Sequence, residues 1–375
     1  MSITSFRIID STLREGEQFA LAHFTIEQKL AIAAALDRFG VDYMELTSPV
    51  ASPQSESDLR RVARSERRFR LLTHVRCNLD AARLAVDTGV DGVDVLIATS
   101  SRLRPVSHGM SIDEIIDIGT AVVGEIRDAG REARFSTEDS FRSDPDDLVR
   151  IYRAIDRAGV DRVGLADTVG VATPSQVHDL VSLIRRTVGC DIEFHAHDDT
   201  GCAVANALAA LEAGATHVDT TILGIGERNG IVPLSAMMAR LVTIQPDLVE
   251  HYRLEMLPEL DAMLAEILGI AVPFNAAVTA ATAFHHKAGM HTKAVLLDPS
   301  AYEVLDPAQF GRERSILAGH RLTGRHAIGD RATVLGVRLD DDRLRSLTAE
   351  VKRRGDDGPL DVATLDELIV SWAQA

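Results

Sequence analysis

Four times the chain repeats one phrase: Gly40-Val-Asp-Tyr-Met-Glu, Gly89-Val-Asp-Gly-Val-Asp, Gly159-Val-Asp-Arg-Val-Gly and Gly214-Ala-Thr-His-Val-Asp. Each phrase follows an amphipathic segment rich in Ala and Leu. A glycine just past a helix supplies the left-handed residue that ends it, and a short valine-bearing strand follows. Helix, glycine, strand, repeated along a chain, is the pattern of a parallel α/β fold. Filling the gaps gives eight strand candidates, near residues 7–9, 43–46, 70–74, 93–97, 133–138, 162–166, 192–196 and 217–221. Thr25-Ile-Glu-Gln28 and Thr173-Pro-Ser-Gln176 are capping-box starts for two of the intervening helices, the second with Pro at its first position. Eight such units in roughly 245 residues fit a closed (β/α)8 TIM barrel better than an open doubly wound sheet.

Past Pro273 the character changes. Residues 276–283 are rich in Ala, Thr and Val, and the His-rich stretch Phe284-His-His-Lys-Ala-Gly-Met-His291 follows. Scattered Pro and Gly occupy 300–324, and helices are expected over 327–336, 340–352 and 363–372. The domain reading is a catalytic barrel over 1–272, then a linker and mainly helical C-terminal region over 273–375. A chain of 375 residues has the length for one barrel and such an extension.

With 46% hydrophobic and 26% charged residues, the composition is that of a soluble globular protein. A net charge of −16 argues against a general polyanion-binding surface, so no nucleic-acid partner is expected. It does not exclude anionic small substrates, because a local cluster of Arg, His and metal reverses the field in one pocket. No run approaches the ~18 apolar residues of a membrane span, and the first residues show no secretory pattern. Three cysteines (Cys77, Cys190, Cys202) make no disulfide framework. No membrane association and a cytoplasmic location are the resulting expectations.

Catalytic groups of a barrel sit at the C-terminal ends of its strands, and polar residues collect there. Arg14 and Glu15 follow the first strand, His74 ends the third and Asp94 lies within the fourth. Arg134, Ser136 and Glu138 alternate along the fifth, Thr168 follows the sixth, and His195 and His197 close the seventh. Alternate residues of a strand share a face, so both imidazoles can meet one ion. With Glu15 they form a two-His, one-carboxylate set, which suits Mg²⁺, Mn²⁺, Zn²⁺ or Co²⁺ and leaves positions open for substrate. Arg134, His74 and Thr168 read as an anion site, since a guanidinium grips a carboxylate in two places. Each residue also has a structural reading: a hydrogen-bonded histidine pair, an Arg14 ion pair with Glu17 or Glu45, a core His74, a plain strand-end Asp94.

Three stretches carry a resemblance: Asp10-Ser-Thr-Leu-Arg-Glu-Gly-Glu-Gln18, Phe194-His-Ala-His-Asp-Asp199 and Gly224-Ile-Gly-Glu-Arg-Asn-Gly230. Together they resemble the homocitrate synthase branch of the metal-dependent Claisen condensation family, whose relatives include isopropylmalate and citramalate synthases. The similarity runs over nearly the whole chain. It implies condensation of acetyl-CoA with 2-oxoglutarate to homocitrate and CoA, the first step towards lysine through 2-aminoadipate. It implies a metal on Glu15, His195 and His197, and Arg14 stabilising the alkoxide that forms on the ketone. His74, Arg134 and Thr168 would hold 2-oxoglutarate, His74 at the distal carboxylate, with Ser136 also approaching it. His291 would act as base with Tyr302 beside it, Glu138 tuning it and Asp94 orienting catalytic groups. A homodimer with shared active sites follows, each C-terminal region reaching the partner's barrel.

Arg14-Glu15, where the isopropylmalate branch has Arg-Asp, and Glu227-Arg-Asn-Gly-Ile231 both match the homocitrate form. The glycine-rich loop around Gly224 has GxGxxxG spacing, a weak nucleotide signal by itself, though this part of a barrel commonly binds phosphates, which CoA carries. One departure stands out: Asp198 occupies a position where the family usually has Asn. The competing readings are a synthase for another 2-oxo acid (pyruvate, 2-oxoisovalerate or oxaloacetate), a metal-dependent lyase of the same superfamily, and a non-catalytic metal-dependent regulator.

Overall fold

The computed structural model describes residues 3–374. The chain divides into two compact units at Thr279/Ala280. In the first, eight parallel strands close into a barrel: β1 (Arg7–Leu13), β2 (Tyr43–Leu46), β3 (Arg70–Arg76), β4 (Gly92–Ala98), β5 (Glu132–Glu138), β6 (Arg162–Asp167), β7 (Asp191–Ala196) and β8 (His217–Thr220). Each pairs with its sequence neighbour, and β1 pairs with β8 to close the ring. A helix follows every strand: α1 (Ile26–Phe39), α2 (Pro53–Ala63), α3 (Leu79–Asp87), α4 (Ile112–Asp128), α5 (Pro145–Arg157), α6 (Pro174–Arg185), α7 (Ala203–Glu212) and α8 (Leu234–Ile244).

Local chemistry explains these boundaries. The Thr25 and Thr173 capping boxes form as the sequence predicts, and Ser111 with Glu114 makes a third at the start of α4. At the other end of α1, Gly40 takes φ 103° and returns its N–H to Leu36. Side chains beyond glycine rarely adopt that conformation, which is why the recurring phrase opens on Gly. Beneath the helices Val93, Val95, Phe135, Val163 and Phe194 are fully buried, as expected of a sheet covered on both faces.

β1 runs four residues further than its apolar pattern predicts, because the polar Asp10-Ser11-Thr12 find hydrogen-bond partners inside the barrel. Asp10 Oδ1 accepts from the Thr12 N–H, and Thr12 Oγ1 accepts from the Ile222 N–H. Ile9 and Asp10 pair with Tyr43 and Met44, but Leu13 pairs with Leu46. Three steps on β1 therefore match two on β2. This one-residue bulge re-aims the chain just before Arg14 and Glu15.

The second unit holds α9 (Gly289–Leu297), α10 (Arg325–Val334), α11 (Asp341–Arg354) and α12 (Val362–Gln374). The last three lie where sequence places helices and bury Ile328, Leu347, Val351, Leu365 and Ile369 together. Predicted as far as 336, α10 stops at Val334, with Gly336 at φ 70°. The sequence gives no sign of α9, since Gly-Met-His-Thr-Lys has no apolar stripe to read. A short parallel pairing of His285–His286 with Ser315–Ile316 also belongs to this unit.

Candidate active site

At the C-terminal mouth of the barrel, a cavity of about 180 Å³ is lined by Arg14, Glu15, His74, Arg134, Ser136, Glu138, Thr168, His195 and His197, with Gln18, Leu96, Ala166, Glu227 and Arg228. Glu15, His195 and His197 bring three ligand atoms together, and all three residues are buried. The two Nε2 atoms are 3.3 Å apart. Glu15 Oε2 is 4.0 Å from His195 Nε2, and Oε1 is 3.9 Å from His197 Nε2. Ligands ~2.1 Å from one ion lie roughly 3.0–3.4 Å apart at octahedral or tetrahedral angles. The imidazole spacing already matches, and the carboxylate needs a shift of about 0.5–1 Å.

Neighbouring groups orient these ligands. His195 Nδ1 is 2.7 Å from Asp219 Oδ2, which fixes the proton on Nδ1 and leaves Nε2 with its lone pair towards the centre. Glu15 Oε1 accepts from the Glu227 N–H at 2.8 Å. Gly226 permits that approach, because a Cβ there would sit 2.9 Å from Glu15 Oε1. Burial lowers both imidazoles to about 4, so they are neutral, ligand-ready donors at neutral pH. For Glu15, burial pushes upward but is outweighed chiefly by the Arg14 charge, with the Glu227 N–H adding to it, and the net shift is downward.

Arg14 follows the β1 bulge and is only 8% exposed. Its Nε lies 2.6 Å from Glu45 Oε2 and its Nη1 2.6 Å from Glu15 Oε2. Of the two ion-pair partners that sequence offers, Glu45 is the one found. Glu17 instead pairs with Lys29 at 2.7 Å and takes a hydrogen bond from Thr47.

Arg134 reaches the cavity through the space that Gly164 leaves, since a Cβ at 164 would sit 2.8 Å from its Nε and Nη2. Ser136 Oγ donates to the Gly164 carbonyl. Thr168 Oγ1 accepts from the Asp139 N–H, while its carbonyl accepts from Arg228. Glu138 faces the cavity with its carboxyl raised by burial and by Asp139. Asp94 does not line the cavity. It sits behind Arg134, 3.5 Å from Nη1, and burial pushes its carboxyl well above the usual range.

The Asp198 departure also receives a location. Its Oδ1 accepts from the Ala203 N–H at the start of α7, so the carboxylate is engaged there and lies outside the ligand set. In the second unit, His291 and Tyr302 come together with ring centroids 4.2 Å apart. Both are exposed, Tyr302 at 47%.

Sequence reasoning missed Arg162, Glu193 and Asp219 altogether. A signal for Glu193 existed: it precedes His195 and His197 at the same spacing of two, so it points into the same barrel.

His74 is neutral beside Arg14. Burial, then the Arg14 charge, lowers it to about 4. A depressed histidine gives stability that is present above about pH 6.5 and lost as pH falls towards 4. Comparing wild type with His74→Gln isolates the histidine. Between pH 7.5 and 4.5 wild type should lose about 2 kcal/mol more than the variant, allowing for its opening to the cavity. Urea denaturation at the two pH values measures the difference, and parallel losses would count against a depressed His74.

A closed parallel barrel with a buried two-His, one-carboxylate set at its mouth defines a class of metal-site barrel enzymes. The match to known families narrows this. Residues 5–264 match the HMGL-like model, and residues 278–359 match the homocitrate synthase post-HMGL domain-like model. The chain belongs to the HMGL-like family, in its homocitrate synthase branch. It is 52% identical over 368 residues to the mitochondrial homocitrate synthase of Schizosaccharomyces pombe, covering 98% of this chain and 88% of that one. Against the mitochondrial homocitrate synthase of Saccharomyces cerevisiae it is 50% identical, covering 98% and 84%. Among solved structures, hydroxymethylglutaryl-CoA lyase from Pseudomonas aeruginosa aligns with a TM-score of 0.64 at 21% identity, over 78% of this chain and 98% of that one, a likeness of fold.

These relatives overturn the cytoplasmic expectation. Four homocitrate synthases at 50–52% identity are mitochondrial, while a cytosolic isozyme of Saccharomyces cerevisiae is 49% identical. The same barrel serves both compartments, so neither charge, cysteine usage nor the lack of an apolar span sorts one from the other. Among the described residues, no helix is long and apolar enough to cross a membrane.

Proposed function

We propose that this chain condenses acetyl-CoA with 2-oxoglutarate, acting as an acyltransferase that forms homocitrate and CoA at the start of lysine synthesis. The observation that carries the reading is the convergence of Glu15, His195 and His197 with Arg14, His74 and Arg134 on one cavity. Glu15, His195 and His197 would hold the divalent ion, with Mg²⁺, Mn²⁺, Zn²⁺ and Co²⁺ all compatible with these donors. Such an ion supplies Lewis acidity at a keto oxygen and leaves room for an adjoining carboxylate.

Arg134 grips a carboxylate of the oxo acid, Ser136 and Thr168 complete its hydrogen bonds, and neutral His74 meets the distal carboxylate. The His291 imidazole takes a proton from the acetyl methyl group, with Tyr302 stacked beside it and Glu138 tuning its basicity. The methyl carbon then bonds to the keto carbon, and the electron pair of the C=O moves onto its oxygen. Arg14 donates to that oxygen as charge develops, and Asp94 steadies Arg134 from behind. The alkoxide takes a proton back from the His291 imidazolium. Water finally cleaves the thioester, its OH going to the acyl carbon and its hydrogen to the CoA thiol. In this reading the functional boundary is 1–272 for the barrel and 273–375 for a region that completes the partner's site in a homodimer. Acetyl-CoA and 2-oxoglutarate are the small-molecule partners; nucleic acid and membrane are not.

Acetyl-CoA-dependent thiol release against a panel of 2-oxo acids tests this. We expect release with 2-oxoglutarate, abolished by EDTA and restored by Mg²⁺ or Mn²⁺. The rate with 2-oxoisovalerate should be lower by about 10² or more, because that acid leaves the distal carboxylate pocket unpaired. Equal rates with the two acids would overturn the carboxylate assignment. Release from no acid would overturn the synthase reading in favour of a lyase or a binding protein.

A further inference from the structure

An unbroken run of ion pairs follows the barrel axis. Arg70, half exposed, meets Glu132 at 2.6 Å, and Glu132 meets Arg162 at 2.6 Å. Arg162 Nε meets Glu193 Oε2 at 2.7 Å, and Glu193 Oε1 meets Arg134 Nη2 at 2.5 Å. Arg134 lies 3.9 Å from Asp219, which holds His195. Arg162 is central to this run. It is 1% exposed, packs its guanidinium 4.9 Å over the Tyr43 ring, and lies outside the catalytic cavity.

We infer that Arg162 is a positioning residue that sets where the Arg134 guanidinium stands, by holding the far oxygen of the Glu193 carboxylate they share. This rests on Arg134 gripping the oxo acid, as proposed above. Stability alone is a poor account of the arrangement, since burying a complete arginine among carboxylates often gains nothing over apolar packing. The geometry supplies a better one. Glu193 divides its two oxygens between two arginines, so its charge is drawn equally towards the closed end and the open end. Without Arg162, both oxygens are free to turn to Arg134 and form a two-pronged pair, the preferred geometry of Arg with carboxylate. That pair competes with the substrate carboxylate for the same N–H groups. Arg134 Nε, buried and without a hydrogen-bond partner, is one donor left available by the present arrangement. Gly164 completes the seat, because any side chain there would displace the same guanidinium.

The test compares Arg162→Met, Arg162→Lys and Glu132→Gln with Arg134→Met. KM and kcat are measured for 2-oxoglutarate, and its Kd by calorimetry on the metal-loaded protein. We expect Arg162→Met to raise KM and Kd about tenfold while kcat stays within about threefold, with Arg162→Lys recovering most of the affinity. Unchanged KM and Kd in a folded Arg162→Met protein would overturn the inference, as would a fall confined to kcat. If Arg162→Met does not fold, Glu132→Gln decides: a smaller rise in KM and Kd supports the inference, and none overturns it. Arg134→Met separates the two levels. If it leaves Kd unchanged, the clamp reading itself has failed; if it raises Kd while the Arg162 and Glu132 variants do not, only the positioning role has failed.

Discussion

Glu15→Gln is expected to lower turnover by at least about 10³-fold and to weaken metal binding with it. The amide removes the single negative ligand of the set and breaks the 2.6 Å pair with Arg14. The loss combines Lewis acidity with electrostatic stabilisation, each a large term by itself. Metal content after dialysis and kcat with 2-oxoglutarate check it, and a variant that keeps both would remove Glu15 from the ligand set. The same variant tests the shared site. Neither Glu15→Gln nor His291→Ala homodimers should turn over appreciably, but in a mixed dimer one site would carry both intact residues. Recovery towards a quarter to a half of wild-type activity is expected, depending on how completely the subunits mix. None in purified heterodimers would place His291 in its own subunit's site or outside catalysis.

Arg14→Met should cost about 10²–10³ in kcat, the loss seen when one preorganised oxyanion donor is removed. Arg14→Lys should recover part of it, since an ammonium keeps the charge but not the fork that now reaches Glu15 and Glu45. The Met variant will also be less stable, by about 3 kcal/mol or more, because Glu45 and Glu15 lose a buried partner. Kinetics should therefore be taken well below its melting temperature. The diagnostic feature is that KM for 2-oxoglutarate changes little while kcat falls, the signature of an interaction made chiefly in the transition state. An equal rise in KM with preserved kcat would turn Arg14 into a ground-state binding residue.

Most of this architecture is legible in the sequence for one reason: each barrel unit announces itself locally. Gly40, Gly89, Gly159 and Gly214 mark helix ends, and Thr25 and Thr173 mark helix starts, so all eight strands fall where the pattern places them. His195 and His197 are equally legible, because spacing two on a strand fixes a common face. The extent of β1 is not, since Asp10-Ser11-Thr12 is polar and the partners of Ser11 and Thr12 come from 34 and 210 residues away. The axial run of charges is hidden for the same reason. Nothing near Arg162 in sequence foretells Glu132 and Glu193, which come from the strands on either side of it. The helix over Gly289–Leu297 gives no periodic signal at all. Compartment lies beyond this kind of reading, since it is no property of the folded barrel.

The one-residue slip at the end of β1 has a consequence for how this site can change. In a regular strand successive side chains face opposite ways, so neighbours cannot both serve one cavity. Past the slip, Arg14 and Glu15 do so as a single unit, their charged atoms 2.6 Å apart. The positive and negative poles of the centre are thus joined by one peptide bond. Moving either pole means moving the other, and a chain that altered the ligand would at the same stroke relocate the donor that answers the growing charge. In the proposed reading, substrate preference rests on β3, β5 and β6 and is free to drift around that fixed pair, while Glu15 and Arg14 are inherited together.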